Sequence, residues 1–449
     1  MLEDLLLLGR LLDLEVNQIA VLAVEPLLVL LQLLALGALL ADGDHLGEQA
    51  VAAVEIAGKP GFIYAFVTGA IGTIAGIMIS QYIGRADRAA ELRSISVNMA
   101  AVTLTALAVL FACGAGASPF VSLFTSDSSI ITEGAQYLRI IRWTFLPLGL
   151  STVLSAALRC HDKSSWPLYA GIFSAVLNTL LNYTLIFGHF GAPALGAAGA
   201  AYASVVSQLA SLIVIIVLFI RCYGRFRFDF RLGSAGFAQY MGMLGPVVIN
   251  EFLWSLGQSV NTYVYGHMGT TELAGVSLTG SVQGLTIGAL SGLAQAAGIM
   301  IGRRLGEQNY EAAYQDAVRL CVYGLLGTLP ISLLLIVFRT AYVTLFAVSD
   351  SVRIVGAEIL AAFAVLMPVK VQNMILGGGV IRSGGRTKYI MMIDILGTWV
   401  IGVPLALLTG LILKLPVVWV YFILSQEEVV RFIITVWMFR SRKWMVTIA

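Results

Sequence analysis

Glu251, Ser255, Gln258 and Thr262 recur at i, i+4, i+7 and i+11. In an α-helix that spacing lines four polar side chains along one stripe, with the other faces apolar. An acid inside so apolar a segment is costly unless it is paired, wetted or neutralised, which makes it a functional candidate by default. A carboxylate placed this way can exchange H+ or Na+ for a positively charged ligand; the alternative is a structural acid permanently paired with Lys370. Lys370 and Asn373 stand three apart in another apolar stretch, hence on one side of it. Lys370 serves there as the counter-ion of Glu251, or stands in the place of a cation, or snorkels to the helix end. Asp394 lies near Arg386 and Lys388 and either joins the same polar site or caps a surface ion pair.

The first half of the chain offers a different chemistry. Ser174, Asn178 and Asn182 are spaced by four and face Ser204 and Gln208 if the following segment packs there. Neutral oxygens of this kind can coordinate Na+ without titrating, although their commoner use is hydrogen bonding between helices. Glu25, beside Pro26, is a further acid in apolar surroundings. Arg139 and Arg142 are expected near an interface or paired within their own half. No nucleophile–base set, HExxH or phosphate-loop motif occurs, and Gly377–Gly379 has neither the strand before it nor the Lys-Ser/Thr after it that such a loop needs. Cys113, Cys160, Cys222 and Cys321 are scattered without CxxC spacing, and the four histidines are equally dispersed. The chain is therefore expected to be no enzyme, to need no cofactor, and to hold no metal beyond Na+.

These residues must be positioned by membrane helices. Hydrophobic residues make up 59% of the 449, charged residues only 12%, about half the charge of a soluble protein. The net charge of +2, with no basic patch interleaved with aromatics, gives nucleic acid nothing to bind. Segmenting at about 20 apolar residues per span yields twelve: 19–41, 52–81, 95–115, 134–157, 166–188, 195–220, 239–266, 273–302, 314–338, 354–378, 389–412 and 416–439. The halves repeat at an offset of 222 residues. His45–Val54 reads against His267–Val276, Gly76–Ile79 (GIMI) recurs letter for letter as Gly298–Ile301, and Gly84 falls on Gly306. A duplicated bundle of two like-facing halves is a shape common among transporters. Lys and Arg gather in alternate connections, among them 85–93, 159–163, 221–231, 303–304 and 382–388, whereas 42–49, 116–132 and 189–194 have none. By the positive-inside rule both termini and the central joint face the cytoplasm. The expected division is a lead-in at 1–18, a six-helix lobe at 19–220, a linker at 221–237, a second six-helix lobe at 238–439 and a tail at 440–449.

Several segments in register with this repeat resemble the multidrug and toxic compound extrusion (MATE) family, from about residue 45 to the C-terminus. Leu158–Lys163 (LRCHDK) and Ile381–Lys388 (IRSGGRTK) resemble its paired cytoplasmic turns, one per half. Leu177–Gly188 followed by Leu195–Ser204 resembles its fifth and sixth helices; Trp399–Pro404 (WVIGVP) and Arg440–Trp444 (RSRKW) resemble its eleventh helix and tail. The resemblance implies an all-α polytopic membrane protein with twelve transmembrane helices, arranged as two parallel-repeat six-helix bundles around a central V-shaped cleft. It implies a secondary transporter of the inner membrane that antiports organic cations or amphiphilic drugs against Na+ or H+ by alternating access. It also carries a seventh-helix glutamate onto Glu251. The family pattern is departed from where its first-helix aspartate would fall on Leu39, its fifth-helix aspartate on Asn182 and its sixth-helix threonine on Ser204. The N-terminal cation site is accordingly weakened or absent; Glu25, an acid that the family pattern does not explain, is a candidate substitute for the missing aspartate. Expected partners are small amphiphilic or cationic molecules and the lipid bilayer, with the chain acting as a monomer. A lipid-linked oligosaccharide flippase of the same broad superfamily is the alternative function, and a non-transporting scaffold or receptor a third.

Overall fold

A computed structural model of the protein describes residues 48–224, 228–231, 233–346 and 348–448. Among them there is no strand. The helices are α1 (Glu48–Gly84), α2 (Arg88–Ala115), α3 (Ala117–Ser122), α4 (Ser128–Ile141), α5 (Phe145–Cys160), α6 (Ser165–Phe187), α7 (Gly196–Tyr223), α8 (Ser234–Met268), α9 (Thr270–Gly306), α10 (Tyr310–Thr344), α11 (Asp350–Asn373), α12 (Thr387–Ile395), α13 (Val403–Leu407), α14 (Val417–Leu424) and α15 (Glu427–Arg440). The spans expected from 52–81 onward are all helical; the first, 19–41, lies outside the described residues, as does Glu25. Among the described residues nine helical stretches are long and apolar enough to cross a membrane. The chain is thus an all-α polytopic membrane protein. Two stretches fall outside those nine: α8, which carries Glu251, and the stretch expected as one span at 416–439. The latter is broken at Ser425–Gln426 into α14, of 8 residues, and α15, of 14.

The chain divides into two compact units. One extends to Ile79 and resumes over Arg88–Gly233; the other takes Ser80–Asp87 and Ser234–Ala449. In the first, Tyr64, Ala106, Cys113, Leu138 and Phe145 make a core of small and aromatic side chains. The Tyr64 and Phe145 rings lie 5.1 Å apart. Asp127 starts α4 by accepting a hydrogen bond from the backbone N–H of Ser129 at 2.8 Å, satisfying one of the helix's free donors. In the second unit α9, α10 and α11 close around Leu305, Ala317, Leu360, Met367 and Ile375, with Trp444 fully buried beside them.

The sequence repeat reproduces backbone geometry residue by residue. α1 ends in a turn with Ala86 at φ 56°, and α9 ends in one with Gln308 at φ 59°, again 222 positions on. Arg85 N–H donates to the Gln81 carbonyl at 3.1 Å and Glu307 N–H to the Arg303 carbonyl at 2.9 Å. The two LRCHDK-like turns, 223 positions apart, close in the same way. Asp162 (φ 58°) donates its N–H to Arg159 at 3.1 Å, and Gly385 (φ 73°) donates to Arg382 at 3.0 Å.

The last helices of the second unit are irregular where the charged residues lie. α11 runs into a π-helical stretch at Met374–Ile381, and α12 and α13 are separated by another at Leu396–Gly402. A third, Leu408–Ile412, follows α13. Widened turns of this kind recur at functional sites because they turn side chains off the regular helical register.

Candidate functional site

Asp394 and Arg431 form the centre of a buried charged cluster in the second unit. Asp394, on α12, accepts from Arg431 Nε at 3.1 Å and from its Nη2 through the same oxygen, Oδ1. Its other oxygen, Oδ2, accepts from Asn250 Nδ2 on α8 at 2.7 Å. Arg431, on α15, also faces Glu428 Oε2 at 3.4 Å and Glu427 Oε1 at 4.0 Å. Glu428 continues the chain to α11: Lys370 Nζ lies 3.5 Å from its Oε1, and Asn373 Nδ2 donates to its Oε2 at 2.8 Å. The same amide group donates to the Glu428 carbonyl, also at 2.8 Å.

Local structure explains how five charges are accommodated. The break at Ser425–Gln426 starts a new helix, so Glu427 and Glu428 occupy its first turn, where free N–H groups favour anions. Arg431 follows at i+4 and i+3, within reach of both. The π-helical stretch Leu396–Gly402 presents bare backbone to them. A Cβ on Gly397 would come within 2.4 Å of Arg431 Cδ, and one on Gly402 within 2.2 Å of Glu427 Oε2. The side chains of Arg431, Glu427 and Glu428 are each about nine-tenths buried.

The sequence-predicted residues are redistributed by this geometry. Lys370, Asn373 and Asp394 do come together, but Glu251 is not their partner. The alternative that pairs Glu251 with Lys370 is not the arrangement found: Lys370 turns to Glu428, and Glu251 lies 4.0 Å from Arg382 Nη1. α15 brings two carboxylates within one helical turn of Arg431, and these outcompete the single acid of α8. Nor does Asp394 cap a surface pair with Arg386 or Lys388; it faces inward to Arg431. Ser255 is half-buried, whereas Gln258 and Thr262 are exposed, so the stripe continuing from Glu251 leaves the core of its own unit. Thr262 spends its hydroxyl on the Gln258 carbonyl of the same helix at 3.0 Å.

Asn250, Glu427, Glu428 and Arg431 were not expected. Glu427, Glu428 and Arg431 stood inside the 416–439 span, and their i, i+1, i+4 spacing, which puts both acids within one turn of the arginine, was the available signal. Asn250 gave no signal beyond adjacency to Glu251.

In the first unit the polar ladder does assemble. Asn178 Nδ2 lies 3.4 Å from Ser204 Oγ and 3.3 Å from Ser207 Oγ. Asn182 Nδ2 donates to Asn178 Oδ1 at 3.0 Å, and Ser174 donates to the Ser207 carbonyl at 3.1 Å. Ser207 takes the place expected for Gln208. A second buried acid, Glu91, is closed on both sides, by Arg88 at 2.9 Å and by His161 Nε2 at 2.7 Å. The four cysteines are free, and the described residues contain no group of three or more His, Cys, Asp or Glu placed to hold a metal ion.

Helices of membrane length, an internal repeat carried down to its turns, and an ionic cluster buried inside one unit define a polytopic membrane protein built like a transporter. The MatE family model matches residues 27–184 and 246–408, and the chain belongs to that family. It is 24% identical to the uncharacterized transporter YisQ of Bacillus subtilis over 403 residues, 89% of this chain and 88% of that one. It is 26% identical over 371 residues to the probable multidrug resistance protein NorM of Rhizobium meliloti, covering 80% and 78% of the two chains. A MATE crystal structure in complex with MaL6 shares the fold with a TM-score of 0.84 at 17% identity, over 96% of this chain and 95% of that one.

Proposed function

We propose that the chain is a secondary multidrug exporter of the plasma membrane, exchanging amphiphilic or cationic small molecules for H+ or Na+ by alternating access. Its termini face the cytoplasm on this reading, and it acts as a monomer. The supporting observation is an unbalanced charge. Asp394, Glu427 and Glu428 stand against Arg431 and Lys370, three carboxylates to two cations, with Glu427, Glu428 and Arg431 about nine-tenths buried. A lone surplus negative charge there requires a proton or a cation, and that requirement is the physical basis of coupling. The Rhizobium relative, a probable multidrug resistance protein, supports drugs as the cargo.

Glu251, half-exposed with Ser255 and Gln258 beyond it, serves cationic substrate on this reading. The ladder of Asn178, Asn182 and Ser204 directs amide N–H groups at its serines, the arrangement of interhelical bonding. On this reading coupling lies in the second unit. The surplus of acid also weighs against a flippase of pyrophosphate-linked sugars, which needs the opposite sign. The test is dye movement in proteoliposomes with H+ and Na+ gradients imposed separately. Export driven by one of them supports the reading, and no movement under either by folded protein removes it.

A further inference from the structure

We propose that Glu427 is the group that takes up the coupling ion and that the ion is a proton; this rests on the exporter reading above. The three carboxylates of the cluster are not equivalent. Asp394 has both oxygens engaged, by two Arg431 nitrogens and by Asn250. Glu428 is held by Lys370, Asn373 and Arg431. Glu427 accepts no hydrogen bond among the described residues, and its ion pair with Arg431 is the long one, at 4.0 Å. It is only 8% exposed, against the bare backbone of Gly402.

Two opposing forces act on that carboxyl. Burial without a hydrogen-bond donor favours the neutral acid. The first turn of α15 and the guanidinium 4.0 Å away favour the anion. A group poised between such forces can change state with a small change in its surroundings, whereas Asp394 and Glu428 would lose several contacts on protonation. With Glu427 protonated the cluster is neutral, two carboxylates against Lys370 and Arg431. With Glu427 ionised it carries one negative charge. Loss of the proton from its carboxyl oxygen therefore leaves behind the charge that a cationic substrate can balance.

The surroundings also choose the ion. A hard cation needs a shell of several oxygens. The charged neighbours of Glu427 are Arg431 and Glu428 on its own helix, Lys370 on α11 and Asp394 on α12, with the Tyr265 hydroxyl on α8. Two of these are cations that repel Na+, and both other carboxylates are already committed. A proton needs one oxygen only.

The test uses the full chain in proteoliposomes with a cationic fluorescent dye and a pH-sensitive probe. Wild type should release about one proton per dye bound and export the dye under a pH gradient with no Na+ present. Glu427→Gln, which fixes the neutral state and keeps the remaining charges matched, should bind dye with an affinity that no longer varies with pH and should lose gradient-driven export at least tenfold. Glu427→Asp should restore pH-dependent binding. Driven export retained by Glu427→Gln overturns the assignment, and so does wild-type dye binding without proton release, a readout that needs no variant to fold. Wild-type export driven by Na+ alone overturns it while leaving the exporter reading intact. Dye immobile under every gradient, with the protein folded, removes that reading itself.

Discussion

Asp394 and Arg431, 37 residues apart in sequence, meet through two guanidinium nitrogens on a single carboxylate oxygen, leaving the other oxygen to Asn250. The pair joins three helices, because α12, α15 and α8 each contribute one of these side chains. Asp394→Asn should therefore strip Arg431 of its main partner while both remain buried. Breaking a buried pair from one side costs about 3–5 kcal/mol. We expect a large drop in melting temperature in detergent for Asp394→Asn and a smaller one for the double variant Asp394→Asn/Arg431→Gln, where no charge is stranded. Equal losses in the two would show that the pair does not carry this stability.

The two glycines of the Leu396–Gly402 stretch have a steric role rather than a role as a hinge. Gly402→Ala would push a methyl group into Glu427 Oε2, and Gly397→Ala one into the stem of Arg431. Overpacking of this kind costs about 1–3 kcal/mol. Both variants should unfold at lower temperature than wild type, and Gly402→Ala should also alter the pH dependence of transport by displacing Glu427. Gly327→Ala on α10, where nothing lies within 4 Å of the added carbon, is the control and should be neutral or slightly stabilising. A wild-type melting curve for Gly397→Ala and Gly402→Ala would contradict the cradle.

The architecture was legible in the sequence because membrane helices announce themselves by length and apolarity, and because a duplication can be checked against itself. The match of Gly84 to Gly306 appears in the structure as matched turns at Ala86 and Gln308. The candidate site was legible in part. Lys370, Asn373 and Asp394 were identified, but the pairing of Lys370 depends on which helix packs beside α11, and no local pattern encodes that. Glu427, Glu428 and Arg431 were hidden by the averaging that finds spans: strongly apolar Val417–Leu424 carried the window across the break at Ser425–Gln426. Three charges in one expected span were the signal that the helix is divided there.

On the proposed reading Glu251 handles substrate while Glu427 carries the coupling proton. Among the described residues the ion pair of Glu251 is with Arg382, at 4.0 Å, and its side chain is 33% exposed. Weak, partly exposed pairs contribute about 0–1 kcal/mol, so Glu251→Gln should melt within a few degrees of wild type. Loss of one charge-assisted contact to a cationic dye, about 1.5–3 kcal/mol, should weaken dye binding by about tenfold or more, while proton release on binding persists at saturating dye. Abolished proton release in Glu251→Gln, with Glu427→Gln unaffected, would reverse the roles assigned to the two acids.

The closing turns of α1 and α9 make a reciprocal contact within the second unit. A Cβ on Gly84 would stand 2.1 Å from the Arg303 carbonyl oxygen, and one on Gly306 would stand 2.1 Å from the Gln81 carbonyl oxygen. Gln81 and Arg303 are themselves 222 positions apart, so each repeat presents its glycine to the equivalent carbonyl of the other. Gln81 is fully buried beside this crossing; its amide donates to the Ser383 carbonyl at 2.7 Å, and its side-chain oxygen accepts the Ile448 N–H at 2.6 Å. Backbone atoms cannot swing aside as a side chain can, so Gly84→Val and Gly306→Val should each force the helix ends apart at a cost of about 1–3 kcal/mol or more. Gly76→Ala, on α1 with nothing within 4 Å, should be tolerated. Thermal unfolding of the three variants, with limited proteolysis of the C-terminal segment that Gln81 holds, checks the contact. The two valine variants should melt early and lose their tails to protease first, and unchanged tail protection in both would show that the crossing does not anchor it.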